Sequence, residues 1–307
     1  MGGWINDNGL ARATRTLLWR RLVNREVAYL SDRPDSAETI GWGTRGLSEV
    51  FGRHRGRVFF VLGNGESVNY LDELQFQFIG RHFSVGLNAW PLHPFAPSAY
   101  AFELYEGLGR EATEFEFLVG LAHKKALMAG AEMLLLRPRP SSFDRLNRLC
   151  ASLQGLSFTM YGRANLANES LGRLDVDLKQ SLAFLSSASA RSGVVIDNGS
   201  SVVRMVSLAL LQGFKRVVLV GVDLNDGGYF WYNEGFVQRH GDFRDAVRRQ
   251  PGEGRDTLST ESRPFSAADF LYALNRVAQS EYGAEIYVAS SSSTLSEGLE
   301  TFRFDGA

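Results

Sequence analysis

The feature that most constrains the fold is a pair of short, uninterrupted apolar runs, each of which ends in a glycine. The runs are VFFVL at 58–62, followed by Gly63, and VVLV at 217–220, followed by Gly221. Apolar runs of this length without alternation are typical of strands that are buried on both faces of a parallel sheet. Because parallel neighbours need a long crossover between them, usually a helix, the two runs predict an α/β architecture.

Strand and helix signals alternate along most of the remaining chain. The predicted strands are 58–62, 83–87, 99–102, 133–136, 156–160, 216–220 and 285–289, and the predicted helices are 67–79, 111–129, 143–152, 177–188, 201–212, 265–281 and 295–299. Gly213 follows the 201–212 helix as its C-terminal stop. The alternation predicts a Rossmann-like, mainly parallel sheet that is wrapped by helices.

The chain divides into a short N-terminal part and one large domain. Residues 1–56 combine a helical pattern at 9–33 with a connector rich in Gly, Ser, Asp and Arg, and residues 57–307 form the predicted Rossmann-like domain. Within that domain we predict a small lid-like insertion at 225–264. Its part at 239–264 holds almost no apolar side chains and exceeds the usual length of a loop, so the alternative there is plain disorder.

The composition excludes several classes of protein. The 33 basic and 34 acidic side chains nearly cancel, so no field that would attract nucleic acid is expected. A single cysteine, Cys150, rules out internal disulfides and fits a reducing compartment. The first residues do not open a signal peptide, and no apolar run approaches the roughly 20 residues that cross a bilayer. We therefore expect a soluble, cytoplasmic protein.

The helical pattern at 9–33 is rich in arginine. A basic amphipathic helix can lie on an anionic membrane surface, which would place the protein at the periphery of the inner membrane. The alternative is a helix that packs on the domain and leaves its arginines in solvent. The arginines concerned are Arg12, Arg15, Arg20, Arg21 and Arg25.

Polar residues follow two predicted strands at the edge where open α/β sheets bind ligands. The first group is GNGES at 63–67, in which glycines let a ligand approach the backbone and Asn64 offers both a donor and an acceptor. The second is Asn88, directly after the strand at 83–87. Either group could instead be a simple turn, because Asn-Gly pairs and Asx turns are common.

A third polar group lies within residues 197–234. Ser200 and Ser201 open a helix whose free N–H groups would face the site. The next strand ends at Gly221 and Asp223, and a carboxylate at a strand end suits a metal, a ribose hydroxyl or a general base. The loop that follows carries polar and aromatic side chains that suit sugars and bases, although aromatics also fill cores. These side chains are Asn225, Asp226, Tyr229, Phe230, Trp231 and Tyr232.

In their order and spacing, these groups resemble motifs of the bacterial sialyltransferases of glycosyltransferase family 42. GNGES resembles the family's strand end Asn-Gly-Pro-Ser, and Asn88 falls where the family has a second site asparagine. The stretch from Ser200 to Lys215 and then LVGVD resembles a Ser-Gly-opened helix, a Gly-Tyr-Lys turn and a strand ending in Gly-Ile-Asp. The resemblance covers about residues 57–300. It extends more distantly to motility-associated flagellin glycosyltransferases and archaeal hydroxymethylpterin diphosphokinases.

The resemblance implies a transferase that needs no metal or other cofactor. Such an enzyme moves sialic acid or a related nonulosonic acid from a CMP-activated donor to a surface glycan or glycolipid acceptor. Because the related sialyltransferases form oligomers, the resemblance also implies self-association. The nucleotide-binding residues that it implies are Gly63, Asn64, Gly65, Asn88, Ser200, Ser201, Gly221, Asn225 and Tyr232.

The residues expected to perform catalysis depart from the family pattern. Asn225 occupies the position of the family's first phosphate-binding tyrosine, and Tyr229 or Tyr232 supplies the second. In the family a histidine before the last long helix is the proposed base. The corresponding segment here contains no histidine, so the predicted base is His240 or Asp223. With Tyr229 at the donor phosphate, these residues are the predicted catalytic group.

Two other functions remain open on the sequence. A Mg²⁺-dependent, pyrophosphokinase-like enzyme would use Asp223 and Asp226 to bind the metal. A catalytically degenerate transferase fold would serve as a binding or scaffold protein, which the missing histidine and tyrosine favour.

Overall fold

The structure of the protein is a computed structural model. It describes residues 17, 19–24, 47–52, 58–103, 110–136, 143–153, 156, 158–166, 171–189, 193–225, 228–247 and 265–304.

A nine-stranded sheet forms the centre of the described structure. Its strands are β1 (Val58–Leu62), β2 (Phe83–Leu87), β3 (Ala99–Glu103), β4 (Glu132–Leu136), β5 (Thr159–Asn165), β6 (Val194–Asp197), β7 (Arg216–Val220), β8 (Glu285–Val288) and β9 (Glu300–Thr301). They lie in the order β6-β5-β4-β3-β2-β1-β7-β8-β9, and every neighbouring pair is parallel. The predicted Rossmann-like α/β fold is confirmed.

Helices cover both faces of this sheet. They are α1 (Leu47–Gly52), α2 (Glu73–Gly80), α3 (Arg110–Ala129), α4 (Phe143–Ser152), α5 (Leu174–Ser189), α6 (Ser201–Leu211), α7 (Glu234–His240) and α8 (Ala267–Val277). Phe59 and Val61 of β1 belong to the core beneath α1, α5, α6 and α8, whereas Phe60 and Leu62 belong to the core beneath α2, α3 and α4. Burial on both faces is the reason that VFFVL contains no polar residue.

The order of the strands reverses at β1. From β1 the chain adds β2 to β6 outward on one side, and it then crosses back so that β7 pairs with the other side of β1. The paired residues run from Val58 with Arg216 to Leu62 with Val220, so the two strands end level. The edge beyond these two carboxyl ends, which we call the switch point, is where sheets of this kind bind ligands.

The region predicted as a connector, 31–56, contains a helix that belongs to the domain. Helix α1 buries Phe51 completely, with its ring centroid 4.7 Å from that of Phe83 and 6.1 Å from that of Phe59. The Gly, Ser and Arg around it concealed this short apolar stretch in the sequence. The connector prediction is therefore wrong at residues 47–52.

The single helix predicted at 67–79 is two helices. A 3₁₀ helix spans Glu66–Tyr70, and α2 begins afresh after Asp72. The Asp72 carboxylate accepts a hydrogen bond from the Gln75 N–H at 2.8 Å, and the Gln75 side chain accepts one from the Asp72 N–H at 2.9 Å. This capping box starts a new helix where apolar spacing alone suggested continuity.

Two strands on the far side of the sheet also differ from the prediction. The extended segment predicted at 156–160 is β5, which lies at Thr159–Asn165. The strand β6 at Val194–Asp197 was not predicted, because its four residues follow a polar stretch and are too few to show a period.

The helix predicted at 9–33 lies within the described residues only at 17 and 19–24, where the chain is helical. Trp19 contacts the Phe184 ring of α5 with centroids 5.5 Å apart, and the Arg20 guanidinium lies 5.3 Å from the same ring. This part packs on the domain through Trp19 and the fully buried Val23. None of the helices in the described ranges is long and apolar enough to cross a membrane.

The burial of α1 predicts a large loss of stability when Phe51 is truncated. We expect Phe51→Ala to lower the free energy of unfolding by about 3–5 kcal/mol, because the cavity would open among three other phenylalanine rings. Urea unfolding measures the change. Leu74→Ala, at a side chain that is 72% exposed, is the matched control and should be nearly neutral. Equal losses for the two variants would show that α1 is not part of the core.

Candidate functional site

The turn after β1 is packed directly against the turn after β7. The Gly63 N–H donates to the carbonyl of Val220 at 2.7 Å, and the Gly65 N–H donates to the carbonyl of Gly221 at 2.7 Å. The Glu66 N–H donates to the carbonyl of Gly228 at 3.0 Å. These N–H groups lie where a ligand was expected to approach the backbone, and they are bonded within the protein instead.

Asp223 links the same two turns through its side chain. One carboxylate oxygen accepts the Ser67 N–H at 3.0 Å, and the other accepts the Ser67 hydroxyl at 2.5 Å. Asp223 is 8% exposed and Ser67 is 4% exposed. A carboxylate with both oxygens bonded and little access to solvent is poorly placed to take a proton from an acceptor or to bind Mg²⁺. The structure gives Asp223 a role in holding the turns together.

The glycines of GNGES and of GVD are explained by this contact. A Cβ atom on Gly63 would lie 2.5 Å from the carbonyl oxygen of Gly221, and one on Gly65 would lie 2.3 Å from the Asp223 carboxylate. A Cβ on Gly221, whose φ is +62°, would lie 2.3 Å from Val68. Glycine is thus required because each turn occupies the space in which the other would place a side chain.

The close approach of the turns predicts that an alanine at Gly221 is strongly destabilising. Gly130→Ala is the matched control, because Gly130 has a φ of +67° and nothing within 4 Å of its added Cβ. Both variants carry the cost of left-handed backbone, about 1–2 kcal/mol. We expect Gly221→Ala to lower the free energy of unfolding by at least about 2 kcal/mol more than Gly130→Ala does, because its Cβ would overlap Val68 and Gly63. Urea unfolding measures both changes. Similar losses would contradict the packing explanation.

The aromatic segment after β7 lies on the turn after β1. Tyr229 forms an antiparallel bridge with Gly65, and the Phe230 N–H donates to the backbone carbonyl of Asn64 at 3.0 Å. The half-buried Tyr229 ring is parallel to that of Trp231, with centroids 4.6 Å apart. Phe230 and Trp231 are fully buried. This part of the predicted lid 225–264 is core, and residues 248–264 lie outside the described residues.

Two asparagines lie at the ends of neighbouring strands, at and beside the switch point. The side-chain oxygen of Asn64 is buried and accepts no hydrogen bond from any described residue. Asn88 directly follows β2 in the left-handed region with φ +49°, and its N–H donates to the carbonyl of Ala101 at 3.1 Å. A buried amide oxygen without a donor costs about 1–3 kcal/mol, so native structures rarely leave one without a function.

Asn225 lies beyond the aromatic segment, against the serine-rich loop after β8. Its side-chain N–H donates to the carbonyl of Ser292 at 3.2 Å. Tyr232 is half-buried, and its ring centroid lies 6.4 Å from that of Tyr229. Asn225 and Tyr232, both predicted site residues, therefore lie close to the switch point.

Polar groups beside the start of α6 are hydrogen-bonded to two carboxylates of the protein. The Gly199 N–H donates to Asp197 at 2.7 Å, and the Ser201 hydroxyl donates to the Glu103 carboxylate at 2.6 Å. Ser200 is 2% exposed. The resemblance places Ser200 and Ser201 among the nucleotide-binding residues, but the Ser201 hydroxyl is committed to Glu103 and Ser200 is buried.

A buried arginine joins these carboxylates, and the sequence reasoning missed it. The fully buried Arg204 of α6 donates to Asp197 at the end of β6 at 2.6 Å and forms an ion pair with Glu103 at the end of β3. It also donates to the Ser201 hydroxyl at 3.1 Å. The signal available in the sequence was the single charge in the apolar helix SVVRMVSLALL, because a charge on a buried helix requires a partner.

His240 lies on the other face of the sheet, in a basic neighbourhood. Its ring packs on Phe236 at 4.8 Å, and partial burial together with Arg239 and Lys125 lowers its pKa below the ordinary value. The Lys125 ammonium donates to the carbonyls of Pro91 and His93 at 2.7 and 2.5 Å, in the turn that follows Asn88 and β2. His240 is therefore neutral near pH 7 and able to accept a proton.

His93 is buried in the same neighbourhood and must be neutral. Its Nδ1 accepts the Phe95 N–H at 3.1 Å, and its ring stacks on Trp90 at 4.6 Å. Burial, and then the charges of Lys125, His240 and Arg239, lower its pKa to about 3.

The lowered pKa of His93 predicts a specific loss of stability in acid. Between pH 6.5 and pH 3 the unfolded chain binds a proton that the folded protein rejects, so stability falls as the pH falls through this window. His93→Asn keeps an acceptor for Phe95 and removes the titration. Between pH 7 and pH 4, we expect the free energy of unfolding of His93→Asn to rise by on the order of 3 kcal/mol relative to that of wild type. Urea unfolding at the two pH values measures this difference. His123→Asn, at a half-buried histidine of α3, is the control and should not show this gain.

The structure thus brings the predicted site residues together in three groups. Gly63, Asn64, Gly65, Gly221, Asp223, Asn225, Tyr229 and Tyr232 surround the switch point. Ser200 and Ser201 lie with Glu103 at the start of α6, and His240 lies near the turn after Asn88. Within the described ranges, no three His, Cys, Asp or Glu side chains are arranged to hold a metal ion.

Neither the comparison with protein-family models nor that with curated proteins returned a match to this chain. The resemblance to the sialyltransferases therefore rests on the motifs at the strand ends, and the functional argument rests on the geometry of the site.

Proposed function

We propose that the protein is a glycosyltransferase that binds a CMP-activated sugar, sialic acid or a related nonulosonic acid, at the switch point and transfers it to a glycan or glycolipid hydroxyl. The observation that carries the proposal is the buried, unpaired side-chain oxygen of Asn64. It lies in the turn after β1, where the strand order reverses, and an exocyclic amine or a ribose hydroxyl would supply the missing donor.

Two further features support a nucleotide there. Asn88 adds a second half-buried amide at the end of the neighbouring strand. The half-buried Tyr229, stacked on Trp231, adds an aromatic surface with a hydroxyl, which suits a base or a sugar. The positive charges of Lys125 and Arg239 lie near the turn that follows Asn88, beside the neutral His240. In this proposal the phosphate and the sugar carboxylate face these two charges.

The proposal assigns the base to His240. Its lowered pKa keeps the imidazole neutral, and a neutral imidazole can accept the proton of an acceptor hydroxyl as that hydroxyl attacks the anomeric carbon. Asp223, the other predicted base, is committed to Ser67 through both oxygens.

A second candidate function is nucleotide-sugar binding without transfer. The observation that favours it is that both carboxylate oxygens of Asp223 are bonded to Ser67. This leaves His240 as the single remaining predicted base. The Mg²⁺-dependent kinase-like alternative gains no such support, because the Asp223 oxygens are already bonded to Ser67.

Calorimetric titration with CMP, with and without a chelator, tests the proposal. We expect binding that the chelator leaves unchanged, and an affinity at least about tenfold lower in Asn64→Ala, because the amide would lose its hydrogen bond to the ligand. Asn165→Ala, at an exposed asparagine that ends β5, is the matched control and should bind like wild type.

Other outcomes of this titration separate the alternatives. Binding of CMP without turnover of a CMP-sugar would support the second candidate. Binding of ATP that requires Mg²⁺, or no binding of CMP at all, would overturn the proposal.

A further inference from the structure

The carboxylate of Glu103 lies on the same edge of the sheet as Asn64 and Asn88. Glu103 is the last residue of β3, the strand next to β2 on the side away from β1. Neighbouring strands are about 4.8 Å apart, so Glu103 lies roughly 10 Å along the edge from the turn after β1. A nucleoside bound to Asn64 and extended past Asn88 would reach it.

Glu103 is held in place from the interior of the protein. The fully buried Arg204 and the hydroxyl of Ser201 both bond to its Oε1, and Arg204 is itself fixed by the buried Asp197. A guanidinium that loses all contact with water requires strong partners, so this arrangement fixes the rotamers of both ends of the ion pair. Glu103 is thus oriented before any ligand arrives.

The second oxygen of Glu103 has no partner among the described residues. Every hydrogen bond and ion pair between Glu103 and another described residue ends on Oε1, and the side chain is 27% exposed. An ionised carboxylate is an acceptor only, so Oε2 suits a group that donates. Phosphate, which only accepts when fully ionised, is the wrong partner for this position.

We propose that Glu103 is a specificity-determining residue that accepts hydrogen bonds from hydroxyl groups of the donor substrate, with Arg204 as its positioning residue. The inference rests on the proposed function. The hydroxyls belong either to the ribose of the nucleotide or to the transferred sugar, and both offer the same chemistry to a carboxylate oxygen.

Calorimetric titration of wild type and Glu103→Gln with four probes tests this proposal. The probes are CMP, 2′-deoxy-CMP, 3′-deoxy-CMP and CMP-N-acetylneuraminic acid. Glu103→Gln keeps an Oε1 acceptor for Arg204 and Ser201 but replaces the charged acceptor by a neutral amide, so we expect about tenfold weaker binding. Glu132→Gln is the matched control. Glu132 is half-buried like Glu103, but it is the first residue of β4 and so lies at the amino ends of the strands, away from the switch point.

The two sources of the hydroxyls give different patterns. If ribose is the partner, wild type binds CMP more tightly than at least one deoxy analogue. Glu103→Gln then binds both CMP and the CMP-sugar more weakly than wild type does, and it no longer distinguishes CMP from the deoxy analogue. If the transferred sugar is the partner, Glu103→Gln binds only the CMP-sugar more weakly than wild type does. Should the variant fail to fold, the preference of wild type among the probes still decides: tighter binding of CMP than of a deoxy analogue, or of the CMP-sugar than of CMP, supports the inference.

Two results would overturn the inference in distinguishable ways. If wild type binds CMP and folded Glu103→Gln binds all four probes as tightly as wild type does, Glu103 does not contact the donor, while the proposed function stands. The same holds if the variant does not fold and wild type binds all four probes equally. If wild type binds neither CMP nor the CMP-sugar, the proposed function fails and the inference fails with it.

Discussion

The two hydrogen bonds between Ser67 and Asp223 hold the ends of β1 and β7 together, and the rest of the switch point is built on them. They bring the two glycine-containing turns so close that no Cβ fits between them. Because the N–H groups of Gly63 and Gly65 are then bonded to β7 and the turn after it, the Asn64 side chain is left as the unsatisfied group of the turn. A rigid turn with one unpaired amide oxygen is a preorganised site for a donor.

The charges around the switch point differ between the two faces of the sheet. On the face covered by α6, two carboxylates share a buried arginine. On the other face, the positive charges of Lys125 and Arg239 lie beside the neutral His240. A ligand with hydroxyls at one end and anionic groups at the other would match this asymmetry, as a nucleotide-activated acidic sugar does. If the proposed function holds, this asymmetry would orient the donor.

The sequence indicated most of the sheet and the positions of the site turns, and it indicated the roles of individual side chains less well. The apolar runs at β1 and β7 predicted buried strands, because a strand that is buried on both faces contains no polar residue. The strand β6 and the helix α1 were missed, because segments of four to six residues show no period. The sequence suggested that the Asp223 carboxylate is free to bind a ligand or a proton. Nothing near Asp223 in the sequence reveals that Ser67, 156 residues earlier, is its partner.

By itself, the sequence determined the α/β class, the glycine-ended central strands and the two asparagines at strand ends, because these depend on local patterns of burial and turn chemistry. Only the tertiary structure decided which polar groups are free and which are committed to one another. Asp223, Ser201 and the N–H groups of Gly63, Gly65, Glu66 and Ser67 are satisfied internally, whereas the Asn64 side-chain oxygen has no partner among the described residues. The physical reason is that hydrogen bonds between strand ends join residues far apart in the chain, and strand order, which local patterns do not encode, selects the partners.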